Sequence, residues 1–141
     1  MTMKLTMTDT PTTEDVAEIM AGLRTFNRDF VGDKSRKPLA VFITGEQGEK
    51  LGGITGYTLG NYLSIELLWV SETLRHTGAG SKLMRSVEQE ALQRGCKFAQ
   101  VDTFSFQARP FYEKHGYQLK MALENVVDEY HRYYLIKNLI G

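Results

Sequence analysis

The stretch from Leu67 to Arg94 constrains the fold more than any other part of the chain. Leu67-Leu68-Trp69-Val70 is an apolar run of strand length. Gly78-Ala79-Gly80 then opens an amphipathic run whose apolar members Leu83, Met84, Val87, Ala91 and Leu92 recur at helical spacing, and Gly95 stops it just after Arg94. The next β-rich run, Lys97 to Thr103, follows at once. If the helix is the crossover between the two strands, they must lie parallel in one sheet, since a helix of this length cannot serve as a hairpin turn.

The remaining segments fit around that unit. Leu39 to Thr44 and Leu51 to Leu59 read as a hairpin across the turn chemistry of Gly45 to Lys50, and Gly60-Asn61 is a two-residue turn into the central strand, Tyr62 to Val70. Gln107 to His115 reads as a short helix, and Tyr117 to Leu123 and Tyr133 to Ile140 as the last strands. Lys4 to Met7 reads as a first edge strand. From Thr12, the stripe Val16, Ile19, Met20, Leu23 and Phe26 predicts a helix with one face on a core, started by a capping box of Thr12 and Asp15. Asn27 to Pro38 reads as a polar connector. The expected class is α+β, with α/β layering: a mixed, mostly antiparallel twisted sheet holding a central parallel pair, with helices on both faces. One domain over residues 1–141 is expected for a chain of 141 residues.

The first N–H groups of a helix have no intrahelical partner, and the aligned peptide dipoles place roughly half a positive charge there. Arg75 adds a full charge, and Gly78 and Gly80 let a bulky anion approach the backbone, so Arg75 to Gly80 reads as a diphosphate cradle. The phosphate loop of nucleotide hydrolases does not fit, because Leu83 stands where Ser or Thr must follow Lys82. A dinucleotide-binding turn would want glycine at Leu83. What remains is Arg75-His76-Thr77-Gly78-Ala79-Gly80, which resembles the acetyl-CoA motif Arg/Gln-x-x-Gly-x-Gly/Ala of the GNAT N-acetyltransferase superfamily. Ala108-Arg109-Pro110-Phe111-Tyr112-Glu113-Lys114-His115-Gly116-Tyr117 is similar to a second segment of that superfamily, Ala-x-x-Leu-Tyr-x-x-x-Gly-Phe. The run Asp102 to Ala108 resembles a subgroup of generic bacterial-type acetyltransferases, with Ser105 where many members carry Asn.

The resemblance implies acetyl-CoA as co-substrate and direct acetyl transfer to a primary amine of a small molecule or peptide. Cofactor contacts are then expected from backbone N–H near Leu68, Trp69 and Val70, from Arg75, His76, Thr77, Gly78, Ala79, Gly80 and Ser81, and from Ser105, Ala108, Phe111 and Tyr112. Tyr112 matches the tyrosine that protonates the leaving thiolate in many members. A carboxylate is wanted to relay the amine's proton. Glu66 shares a face with Val70 on a regular strand, Asp102 is its rival on the neighbouring strand, and Glu72 is a third. The acceptor is expected between residues 27–38 and residues 124–134, where Asp128, Glu129 and tyrosines suit an ammonium. A non-catalytic acyl-CoA-binding module is the alternative.

Composition narrows the partners. Lys+Arg and Asp+Glu are both 17, so nothing in the balance favours nucleic acid or an anionic membrane. No apolar run nears the ~20 residues of a membrane span, and no export signal is seen, so cytoplasm is expected. The single Cys96 forms no internal disulfide. A Cys–His nucleophile from Cys96 with His76, His115 or His131 has little in its favour, and the isolated histidines suggest no metal. A homodimer is left open.

Overall fold

Regular structure begins at Thr12, the cap of α1 (Thr13–Val31). In the computed structural model, which describes residues 2–141, the Thr12 hydroxyl accepts the Asp15 N–H at 3.0 Å and the Asp15 carboxylate accepts the Thr12 N–H. This is the two-way cap read from the sequence. The helix continues through Asn27 to Val31, so the connector is shorter than expected. Gly32, at φ 65°, ends it with an N–H that donates to the Arg28 carbonyl.

The chain divides into two compact units, one ending at Ser35 and the other spanning Arg36–Gly141. Within the first, α1 is the sole regular element and none of its residues is buried. The stripe from Val16 to Phe26 was expected on a core, but its unit contains no second element to receive it. Lys4 to Met7 forms no strand, for a strand is completed only by a partner's hydrogen bonds and this unit offers none.

The second unit is one sheet with two helices. Its strands are β1 (Lys37–Thr44), β2 (Lys50–Leu59), β3 (Tyr62–Val70), β4 (Phe98–Phe104), β5 (Gln118–Val127) and β6 (Tyr130–Asn138), in the order β1-β2-β3-β4-β6-β5. Only β3 and β4 are parallel, joined by α2 (Ala79–Gln93); the other pairs are antiparallel. The mixed α+β class and the central parallel pair are therefore as read. The last strands differ at their ends: β5 runs on through residues 124–127, and β6 starts at Tyr130. Hairpin pairing through His131 makes strand of what reads locally as loop.

Both helices end in the same way. At α2, the Gly95 N–H donates to Leu92 and the Cys96 N–H to Ala91; at α3 (Arg109–Lys114), Gly116 donates to Glu113 and Tyr117 to Tyr112. These paired bonds need a left-handed residue, and Gly95 and Gly116 supply it at φ 90° and 93°. Leu83, Met84, Val87 and Ala91 of α2 and Tyr112 of α3 pack with Ile54, Leu63, Ile65, Ala99, Val101 and Leu135 of the sheet in one core.

The central strand is not regular. Gly56 pairs with Ile65 and Thr55 with Leu67, which leaves Glu66 as the extra residue of a β-bulge. The bulge shifts the side-chain alternation by one. Leu63 and Ile65 are buried before it, whereas after it Leu68 and Val70 turn to the core and Leu67 and Trp69 are exposed. The regular strand assumed from Glu66 to Val70 is thus broken at Glu66. Gly56 makes room for this, because a Cβ there would meet the Ser64 carbonyl oxygen and lie 3.2 Å from the Ile65 Cα. Gly56→Ala should therefore cost about 1–3 kcal/mol of stability, the range for overfilling a packed site, read as a lower urea midpoint at unchanged slope.

Candidate active site

The turn between β3 and α2 exposes a run of backbone N–H groups beside Arg75. Leu74, in the 3-10 turn Glu72–Leu74, accepts the Thr77 hydroxyl, and His76 and Gly78 adopt positive φ of 65° and 85°. For a non-glycine residue such as His76 this conformation costs about 1–3 kcal/mol, a strain typical of functional turns. The backbone N–H groups of residues 76–81 donate to no acceptor among the described residues. Successive unpaired N–H groups at a helix start form a concavity that holds anions. Arg75 beside them is exposed and makes no ion pair among the described residues. A Cβ on Gly78 would meet nothing within 4 Å, so that side of the turn is open to a diphosphate. These features fit the phosphate end of CoA.

Gly80 also answers a packing constraint that the sequence did not show. A Cβ on it would lie 3.2 Å from the Phe111 ring, so the glycine lets α3 pack against the start of α2. The Ser81 hydroxyl and the His115 Nε2 are 2.9 Å apart, a second link between the same helices. Burial lowers the His115 pKa, against the pull of the Glu88 charge, so the ring is neutral at physiological pH.

These links fix Tyr112 between α3 and the sheet. Its side chain is buried, and its carbonyl is held by the Tyr117 N–H at 3.0 Å. Among the described residues no side-chain N or O sealed from solvent lacks a hydrogen-bond partner, and the Tyr112 hydroxyl has none, so this oxygen is not wholly sealed from solvent. Its pKa is pushed up to about 12, first by burial and then by the negative charge of Asp102. The phenol is thus protonated throughout the physiological range.

Asp102 and Glu66 meet where the parallel strands part. Pairing of β3 with β4 ends at Ile65 and Val101; Glu66 and Asp102 are the next residues, and beyond them that side of β3 has no ladder partner. Near Leu68 and Val70 the edge of β3 away from β2 is thereby unpaired, while the exposed Trp69 pairs with Gly53 at the β2 edge. A cavity of about 400 Å³ at this fork is lined by Thr55, Glu66, Leu67, Asp102 and Arg132. Arg132 directs Nε and Nη2 to the Asp102 Oδ2 at 2.7 and 2.6 Å. A second cavity, of about 470 Å³ between β1 and α2, contains no acidic side chain.

Other candidates are not among the residues lining this cavity. Glu72 is exposed in the 3-10 turn. Ala108 caps α3, and the Ser105 hydroxyl accepts the His131 N–H at 3.0 Å, tying the loop before α3 to β6. Cys96 is buried, with Sγ 4.0 Å from the Gly60 carbonyl and no histidine bonded to it. Arg132 was not legible in the sequence. It reaches Asp102 diagonally, because β4 and β6 align Phe104 with Arg132 and Asp102 with Tyr134.

The chain and its fold have relatives among known proteins. The model of the acetyltransferase (GNAT) family matches residues 5–117. Over 107 residues the chain is 36% identical to blasticidin-S acetyltransferase of Streptomyces morookaense, an overlap of 73% of this chain and 79% of that protein. A crystallised acetyltransferase from Agrobacterium tumefaciens superposes with a TM-score of 0.89 at 28% identity, over 96% of this chain and 99% of its own. One from Bacillus cereus gives 0.79 at 29% identity, over 94% and 97%. The chain belongs to the GNAT acetyltransferase family. It is an acetyl-CoA-dependent N-acetyltransferase. No helix among the described residues is long and apolar enough to cross a membrane.

Gly78→Glu places a carboxylate and a strained residue in the cradle. Calorimetry should then detect no CoA binding, while the far-ultraviolet circular dichroism stays that of the wild type.

Proposed function

We propose that the enzyme transfers the acetyl group directly to a primary amine of a small molecule, with Tyr112 as general acid and Glu66 as the proton relay. The observation that carries this reading is the Tyr112 hydroxyl, without a partner among the described residues, not wholly sealed from solvent, and close enough to Asp102 to feel its charge. Acetyl-CoA supplies the thioester. The amine nitrogen forms the new bond to the acetyl carbon, the carbon–sulfur bond breaks, the amine's extra proton leaves through Glu66 and water, and Tyr112 protonates the departing thiolate. Unpartnered N–H groups of β3 beyond Ile65 would polarise the carbonyl oxygen.

Among the carboxylates, Asp102 is engaged twice by Arg132, whereas Glu66 has no ion pair or hydrogen bond among the described residues. That difference favours Glu66 as the relay. A lysine-type amine has a pKa near ~10.4, so the carboxylate passes a proton onward and does not itself retain it. A phenol at about 12 is a weaker acid than a free thiol at ~8.5, but a thiolate formed in a partly buried site is itself made more basic. The blasticidin-S acetyltransferase likeness supports a small-molecule acceptor, antibiotics included.

Tyr112→Phe keeps the ring, so packing and CoA affinity should hold while kcat falls by ~10² or more. An unchanged kcat, with chemistry rate-limiting, would assign the proton to water. The raised pKa also fixes the sign of the pH dependence: the acid is present below about 12 and is lost only as pH rises through that value. Wild-type kcat should accordingly show no descending limb from loss of this proton between roughly pH 7 and 10. Glu66→Gln should lower kcat/KM for every accepted amine and leave the CoA dissociation constant in place.

A further inference from the structure

We propose that Arg132 sets the charge class of the acceptor: by cancelling Asp102 it leaves Glu66 as the one uncompensated carboxylate of the cavity, which therefore takes an amine bearing a single positive charge. This rests on the reading of the fork between β3 and β4 as the acceptor site. Three charged side chains line that cavity, Glu66, Asp102 and Arg132, with the neutral Thr55 and Leu67. Two guanidinium nitrogens lie 2.7 and 2.6 Å from the same Asp102 oxygen.

Arg132 is not a loose surface side chain. It projects from β6 opposite Phe104, and its guanidinium lies 5.7 Å from the centre of the Phe104 ring and 5.4 Å from that of Tyr134. Two rings, Phe104 on the neighbouring β4 and Tyr134 two residues along β6, flank the planar cation, so the pair with Asp102 is present before a substrate arrives. Glu66, on the bulge, is without such a partner among the described residues. One ammonium therefore finds one free carboxylate. A diamine or aminoglycoside would bring a further positive charge beside Arg132 with no second free carboxylate in the lining to meet it, which is unfavourable.

The test compares butylamine with 1,4-diaminobutane, equal in chain length and different in charge. Dissociation constants are measured by calorimetry on the enzyme saturated with CoA, with kcat/KM where turnover occurs. The wild type should prefer butylamine by about two- to five-fold, the order of one charge interaction in a partly exposed site. Arg132→Gln frees Asp102 and should reverse the preference, Arg132→Lys should keep it, and Arg132→Gln with Asp102→Asn should restore it. The pair is partly exposed, so these variants should retain the wild-type circular dichroism, and the double variant controls for any loss of packing. If Glu66→Gln weakens both amines but Arg132→Gln leaves their ratio unchanged, the charge assignment is overturned while the acceptor cavity stands. If neither substitution changes affinity or KM for any amine, the acceptor lies elsewhere and both readings fall.

Discussion

The site depends on the parting of β3 from β4. Up to Ile65 and Val101 the two strands share a parallel ladder; one residue later the bulge at Glu66 swings β3 out of phase. A continuous ladder would have used every N–H on both strands and left no gap for a thioester. The bulge frees one side of β3, sets Glu66 and Asp102 across the opening, and turns Leu68 and Val70 into the core as anchors. It persists because Gly56 has no Cβ to collide with the Ser64 carbonyl.

A divergent sheet needs a rigid support, and α2 and α3 provide it. Phe111 closes on Gly80, Ser81 meets His115, and Glu88, nearly buried on α2, accepts the Tyr117 hydroxyl and the Lys137 ammonium, each at 2.7 Å. Both carboxylate oxygens of Glu88 are thus satisfied, the condition under which a buried charge fixes geometry without a large desolvation penalty. Burial and the Glu88 charge together raise the Tyr117 pKa, so this phenol remains a hydrogen-bond donor. Through the bond from the Tyr117 N–H to the Tyr112 carbonyl, that network also sets the height of Tyr112.

Electrostatics then divide the labour among similar groups. Tyr112 and Tyr117, five positions apart, differ in one respect: the Tyr117 hydroxyl donates to Glu88, whereas that of Tyr112 has no acceptor among the described residues. The two carboxylates at the fork differ likewise, since Arg132 occupies Asp102 and leaves Glu66 free. Residue type alone does not separate these roles; the available partners do.

Local signals carried much of this into the sequence. The Thr12 cap, Gly95 past α2, the Gly60-Asn61 turn and the parallel crossover are decided within a few residues, by backbone conformations that glycine permits and by hydrogen bonds that short side chains reach, and each stands where the pattern put it. The glycine turn before α2 was legible for the same reason, because such a turn is a local object. The bulge at Glu66, the use of Gly80 for Phe111, the Glu88 network and Arg132 on Asp102 were not, as each joins segments far apart in the chain. Only the strand order and register decide which distant residues meet, and periodicity along one strand assumes a regularity that its neighbour can break.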